Sequence, residues 1–210
     1  MFFFKKVFMK KSSILLLAIG IIFLIAEDKV NSQNIKSIQP FEVSRQEINK
    51  TGMIVLGSWA IGNIVVGTYG NFKSNGQTKY FHQFNAMWNV VNLGIAAFGY
   101  FNAAGSDPNS MTATQILKEY NSLQNFLQLN AGLDVAYMVT GLYLKERAKN
   151  SPNADRLRGY GNSLLLQGGF LLAFDLTLYF IHQNNASINI YPHLESLFSG
   201  RICAGINIKL

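Results

Sequence analysis

The chain has 210 residues, enough for one domain and short for two. Hydrophobic residues make up 49% and charged residues only 14%, against about 25% charged in an ordinary soluble domain. That shortage speaks against a large soluble helical domain, whose helices carry a charged face. The net charge is +7, yet Lys and Arg gather at the N-terminus and in short loops. No aromatic-interleaved basic stripe exists, so nucleic acid is not an expected partner.

In chain order, Lys5, Lys6, Lys10 and Lys11 precede an apolar run from Ile14 to Ala26. At about 13 residues the run is short for a span and suits a signal-peptide core. Val30-Asn31-Ser32 offers small residues for cleavage before Gln33. Residues 1–32 therefore read as a signal peptide, or alternatively as a signal anchor, and residues 33–43 as an exposed, extended linker.

Four helices follow within residues 44–183. Ser44 and Glu47 fit an S-x-x-E capping box ahead of an apolar stretch from Met53 to Tyr69. The second helix is expected from Lys79 to Asn102. The third is expected from Met111 to Lys149, with its apolar part from Leu127 to Leu144. The fourth follows Pro152, a residue suited to a first helical turn, with its apolar part from Ser163 to Ile181. Residues 184–210 read as an irregular tail, with strand-like alternation at Ile188 and Ile190 and again at Ile206, Ile208 and Leu210. The expected fold is all-α: an antiparallel four-helix transmembrane bundle with a short irregular C-terminal segment.

The loops orient such a bundle. Lys73 and Lys79 flank the first turn, and Lys145, Arg147, Lys149, Arg156 and Arg158 outnumber Glu146 and Asp155 in the third. Both basic connections fall on one side, which the positive-inside rule makes cytoplasmic. The expected location is the inner (cytoplasmic) membrane, multi-pass, with both mature termini outside the cytoplasm.

Each apolar stretch contains a polar residue. Asn63, Asn92, Asp134 and Asp175 lie roughly 9–15 Å from the outer ends of their helices at 1.5 Å per residue, consistent with one polar layer. Asn89 belongs to the same face as Asn92, in the series His82, Asn85, Asn89, Asn92, Ala96, Gly99. Comparable stripes are Asn63, Gly67, Gly70 on the first helix, Asn130, Asp134, Tyr137, Gly141 on the third, and Gly168, Asp175, Tyr179, His182 on the fourth. Small residues let helices approach and amides hydrogen-bond across. A carboxylate at the bilayer centre costs at least about 2.5–3.5 kcal/mol, so Asp134 and Asp175 face the bundle interior, as structural members or as the lining of a polar cavity. Tyr179 and His182 extend Asp175 toward the outer side as a polar row. Trp59 is a packing residue or a donor into the polar layer. His82 and His182 lie at opposite ends and form no haem pair.

One cysteine, Cys203, excludes an intrachain disulfide and a cysteine-based metal site. No metal or cofactor is expected. The pattern Q-x-N-A-x-x-(N/D)-V occurs at Gln83–Val90 and at Gln128–Val135, an echo between helices of opposite direction.

Ser58-Trp59-Ala60 with Asn63, Phe84-Asn85-Ala86, Leu129-Asn130-Ala131-Gly132, and Leu166-Gln167-Gly168-Gly169-Phe170 with Asp175 resemble uncharacterised bacterial four-helix integral membrane proteins. The resemblance runs from Ser44 to His182. It implies location and helix count and brings no activity.

No HExxH, GxSxG, Walker loop or dinucleotide fingerprint is present, and no enzyme is expected. Two functions remain. The first is a non-catalytic partner or assembly subunit of an envelope complex. The alternative is small-solute, ion or proton binding and transport by a homo-oligomer through Asp134 and Asp175.

Overall fold

The computed structural model describes the backbone of residues 11–192 and the side chains of residues 38–192. Four α-helices make up nearly all of it: α1 (Lys11–Lys73), α2 (Gly76–Gly105), α3 (Ala113–Arg147) and α4 (Ala154–Asn189). Short 3-10 turns at Pro108–Ser110 and Ala148–Asn150 complete the path. There is no strand among the described residues, so the fold is all-helical. Ile38–Lys73 of α1 and the whole of α4 are long and apolar enough to cross a membrane.

The start of α1 departs from the sequence reading. Residues 33–43 are helical, not extended, and Ser44 lies inside α1 instead of capping it. Pro40 sits in the helix interior, where a missing N–H and a steric clash cost about 3 kcal/mol. Packing offsets that cost. Ile38 and Phe41 join Ile116, Tyr120, Ala186 and Ile190 in a buried apolar cluster, with Phe41 edge-on to Tyr120 at 5.4 Å. One turn later Glu42 accepts hydrogen bonds from Arg45 at 2.8 and 2.7 Å and from Gln46 at 2.9 Å. Burial and the neighbouring Tyr191 hydroxyl push the Tyr120 phenol up to about 12, so it stays a neutral packing group.

The capping box belongs to α3. Thr112 Oγ1 accepts from the Gln115 backbone N–H at 3.3 Å, and Gln115 Oε1 accepts from the Thr112 N–H at 2.8 Å. Between α1 and α2 the chain turns within Ser74–Asn75, and Gly76 adopts φ +55, a left-handed conformation that a Cβ disfavours.

The C-terminal end of α4 also differs. Ile188 and Ile190 belong to the end of that helix and its cap, not to a strand. Ile188 is exposed and Ile190 buried, because residues two apart on a helix point to nearly opposite sides, whereas on a strand they would share a face. His193–Leu210, which hold the remaining tail alternation and Cys203, and Met1–Lys10, with the leading lysines of the signal, lie outside the described residues.

Small residues set how the helices meet. Gly70 lies against His82, Gly67 against Ala86, Gly57 against Ala96, and Met53 against Gly99, so numbers rise along α1 as they fall along α2. Gly141 against Gly161 and Met138 against Gly168 relate α3 and α4 in the same opposed way. A Cβ on Gly159 of α4 would lie 2.5 Å from the Gln77 carbonyl oxygen and 2.7 Å from the Phe81 nitrogen of α2, so only hydrogen fits there.

Away from the Ile38–Phe41 cluster, polar side chains are buried between the helices while many large apolar ones face outward. Asn89 and Gln167 are 0% exposed, whereas Phe98 and Phe101 are 77% and 72% exposed. Val65, Val90, Leu129 and Val139 are exposed likewise.

Candidate functional site

The interior polar groups form two separate structures. The first is a closed circuit of hydrogen bonds among α1, α2 and α4. The Trp59 indole N–H donates to Gln167 Oε1 at 3.1 Å, and Gln167 Nε2 donates to Asn85 Oδ1. Asn85 Nδ2 donates to Asn63 Oδ1 at 2.7 Å, and Asn63 Nδ2 returns to the Trp59 carbonyl oxygen at 2.8 Å. The Trp59 ring stacks on Phe170 with centroids 3.8 Å apart and planes 5° from parallel. None of these four residues leaves a buried side-chain atom without a partner. Such a circuit joins helices and leaves nothing to offer a ligand.

The second lies about 10 Å farther along α2, seven residues at 1.5 Å each. Here Asn92, Asp134 and Asp175 are buried and line a cavity of about 270 Å3 to which all four helices contribute. Its walls are largely apolar, with Leu56, Leu127, Leu171 and Phe174 among them. Asp134 Oδ2 is buried with no N–H or hydroxyl donor on it, and its carboxyl instead contacts that of Asp175. The indole N–H of Trp88 is also buried without a partner; the ring meets Tyr137 edge-on at 4.8 Å, and both rings line the cavity. The lining contains no Lys, Arg or His. Buried polar atoms nearly always find partners, so two orphans around one void mark a place prepared for something else to bind.

The polar layer expected as one level is thus divided. Asn63 belongs to the amide circuit, while Asn92, Asp134 and Asp175 belong to the cavity. Asn89 links them, donating to the Asn85 carbonyl oxygen at 2.8 Å and accepting from Asn92 at 3.3 Å. The outer row does not hold together. Tyr179 faces α3, where its hydroxyl accepts from Gln128 at 3.1 Å, whereas His182 faces α1, with Nε2 2.9 Å from Asn49 Oδ1. Residues three apart diverge by about 60° on a helix of 3.6 residues per turn, enough to aim them at different neighbours. In the sequence echo, both glutamines reach tyrosines of α4: Gln83 accepts from the Tyr160 hydroxyl at 3.3 Å, as Gln128 donates to Tyr179.

A second cavity of about 420 Å3 adjoins the first and shares Asn49, Met53, Ile95, Leu123 and Phe126 with it. Arg45, Asn102, Ser106 and Glu119 line its far part. Among the described residues, no three or more His, Cys, Asp or Glu side chains gather where they could hold a metal ion.

The family of unknown function DUF6992 matches residues 55–176, more than half of the chain. The chain belongs to that family. The DUF6992 segment takes in the whole amide circuit and both cavity carboxyls, and ends one residue beyond Asp175. The Arg45–Glu42 pair, Asn49 and His182 fall outside it. No curated protein and no solved structure matches the chain.

Sequence reasoning placed Tyr137 on the polar stripe of α3 but did not single out Gln167, Trp88 or Asn49 as site residues. Gln167 carried a usable signal, an amide inside an apolar run, the same reasoning that selected Asn63. Trp88 carried none, because an aromatic residue in an apolar helix reads first as packing.

Proposed function

We propose that this protein is a multi-pass integral membrane protein, an antiparallel four-helix bundle, that binds a small molecule between its helices without catalysing a reaction. The membrane reading is supported by the inverted burial: Asn89 and Gln167 inside, Phe98 and Phe101 outside. A soluble bundle with that exterior would aggregate; in lipid it is the favourable arrangement. The basic connections at Lys73–Lys79 and Lys145–Arg158 support a cytoplasmic position for that end. The cavity end then faces outward from the inner membrane.

Of the two functions the sequence left open, geometry favours small-solute binding over a purely structural subunit. One observation carries this: the helices leave a void of about 270 Å3 at the level of Asp134 and Asp175, with a buried carboxyl oxygen that no N–H or hydroxyl donor reaches. A purely structural layer closes such gaps, as the amide circuit does. Four helices of one chain suffice to line the void, so a homo-oligomer is not needed to create it.

The test is native mass spectrometry of the full chain purified from its own membranes in mild detergent. One small molecule per chain, lost in the Asp134→Asn/Asp175→Asn double variant, supports the proposal. A stoichiometric second protein with an empty cavity overturns it in favour of the subunit reading.

A further inference from the structure

The binding reading leaves open what enters the cavity, and the lining narrows it. Both carboxyls are buried, at 3% and 6% exposure for Asp134 and Asp175, and no cationic side chain lines the space around them. A buried carboxylate without a countercharge or full hydrogen bonding is strongly disfavoured. The Asp134 and Asp175 carboxyls contact each other and can share one proton, which leaves one negative charge for a ligand to balance. Trp88 and Tyr137 line the same space as the carboxyls, and aromatic rings attract organic cations when desolvated. Asn49, Asn92 and Asn130 also line the space, and the remaining wall is Leu, Ile, Val, Met and Phe, too apolar overall to replace the shell of a strongly hydrated inorganic ion. Size sets the other bound. An apolar cavity of about 150 Å3 accommodates benzene, so about 270 Å3 accepts one ring with a short side chain and little more.

Between α2 and α3 the cavity is open to the side, where its lining residues Val91, Ile95, Phe126 and Leu133 are exposed, but along the helix axes access is one-sided. Toward the basic connections the cavity is sealed by the Trp59–Gln167–Asn85–Asn63 circuit and by the close approach of Gly141 to Gly161. Toward the other end it runs into the adjoining cavity, whose charged lining is Arg45 and Glu119. Arg45 is already neutralised by its two hydrogen bonds to Glu42, and Glu119 is exposed. The mouth is therefore acidic in effect and draws cations inward.

We infer that the cavity takes a small apolar monocation, an organic ammonium with a body of about one ring, admitted past Glu119 and held by Asp134 and Asp175. This inference rests on the binding reading above.

The test uses the purified full chain in non-ionic detergent and three probes of nearly equal shape: benzylamine, benzyl alcohol and benzoate. Calorimetry is expected to show benzylamine binding once per chain, at least tenfold tighter than benzyl alcohol, with benzoate not binding. In Asp134→Asn/Asp175→Asn, benzylamine falls to the level of the alcohol, and persisting alcohol binding reports that the cavity has folded. Asp175→Asn alone serves if the double variant does not fold. Leu171→Trp, which fills the void, removes binding of all probes. By stopped-flow fluorescence of Trp88, Glu119→Gln slows benzylamine association severalfold and leaves benzyl alcohol unchanged.

Benzyl alcohol binding as tightly as the amine, with Leu171→Trp still blocking it, overturns the ligand class and leaves the cavity reading standing. Amine preference surviving both carboxyl substitutions does the same. Absence of binding by every probe, with nothing bound to the protein from its own membranes, overturns both. Equal slowing of both probes in Glu119→Gln overturns the access route.

Discussion

The amide circuit and the carboxyl cavity are neighbours along the same helices, and they solve opposite problems. In the circuit, Trp59, Gln167, Asn85 and Asn63 each find partners, and Gln167 is 0% exposed. In the cavity, Asp134 keeps an oxygen without a donor beside empty space. The two differ in what they do with buried polarity: the circuit converts it into helix–helix adhesion, and the cavity holds it in reserve for a ligand. Stability should therefore respond to one site and binding to the other.

The largest stability effect is expected at Gln167. Gln167→Leu removes the hub and strands the Trp59 N–H and the Asn85 side chain in the interior. Orphaned buried groups cost about 1–3 kcal/mol each, so a loss of about 2–4 kcal/mol is expected, read as a lowered unfolding midpoint in detergent titrated with a denaturing surfactant. A change below about 0.5 kcal/mol would show that the circuit is ornamental and sink the comparison.

Asp134→Asn and Asp175→Asn should behave in the reverse manner. The amide is nearly isosteric with the carboxyl and removes a group that is costly to bury, so stability changes by less than about 1 kcal/mol. Ligand retention should fall at least tenfold, equivalent to about 1.4 kcal/mol, measured as occupancy of the protein purified from its own membranes. A carboxyl substitution that unfolds the protein while Gln167→Leu does not would exchange the roles of the two sites. Trp59→Phe is a milder break of the circuit. It deletes one hydrogen bond while a ring still stacks on Phe170, and should cost about 0.5–1.5 kcal/mol with ligand occupancy unchanged.

How much of this was legible in the sequence follows from what each signal encodes. The four helices were readable because long apolar stretches separated by short polar connections leave little else to form. The inward faces were readable too: His82, Asn85, Asn89, Asn92, Ala96 and Gly99 follow helical spacing, and Asn85, Asn89, Asn92 and Ala96 are buried on α2. Depth was not readable at the resolution required. An uncertainty of several residues in each helix end, at 1.5 Å per residue, becomes comparable to the about 10 Å that separates the circuit from the cavity once two helices are compared, so two structures merged into one layer. The cavity itself is an absence of side-chain volume where four helices diverge, and no single helix records it. Residues 33–43 illustrate a further limit. Their helix depends on Ile38 and Phe41 packing against Ile116, Ala186 and Ile190, partners more than 70 positions away, and contacts at that separation override local preference.

The two capping motifs give the finest form of the comparison between what a motif suggests and what its surroundings permit. Ser44-x-x-Glu47 and Thr112-x-x-Gln115 are alike in sequence, yet only the second caps a helix. Thr112 follows a 3-10 turn that ends at Ser110, so the first turn of α3 has free N–H groups for Thr112 Oγ1 to satisfy. Ser44 has turns of helix before it, so the N–H groups it would cap are already bonded, and Glu47 pairs instead with Lys50 at 2.7 Å. Thr112→Ala should therefore cost about 0.5–1.5 kcal/mol, with faster backbone amide exchange confined to the first turn of α3. Ser44→Ala should change stability by less than about 0.5 kcal/mol and leave amide exchange around it unaltered. Equal losses at the two positions would mean that α1 begins at Ser44 after all, and that the packing of Phe41 does not carry the helix through Pro40.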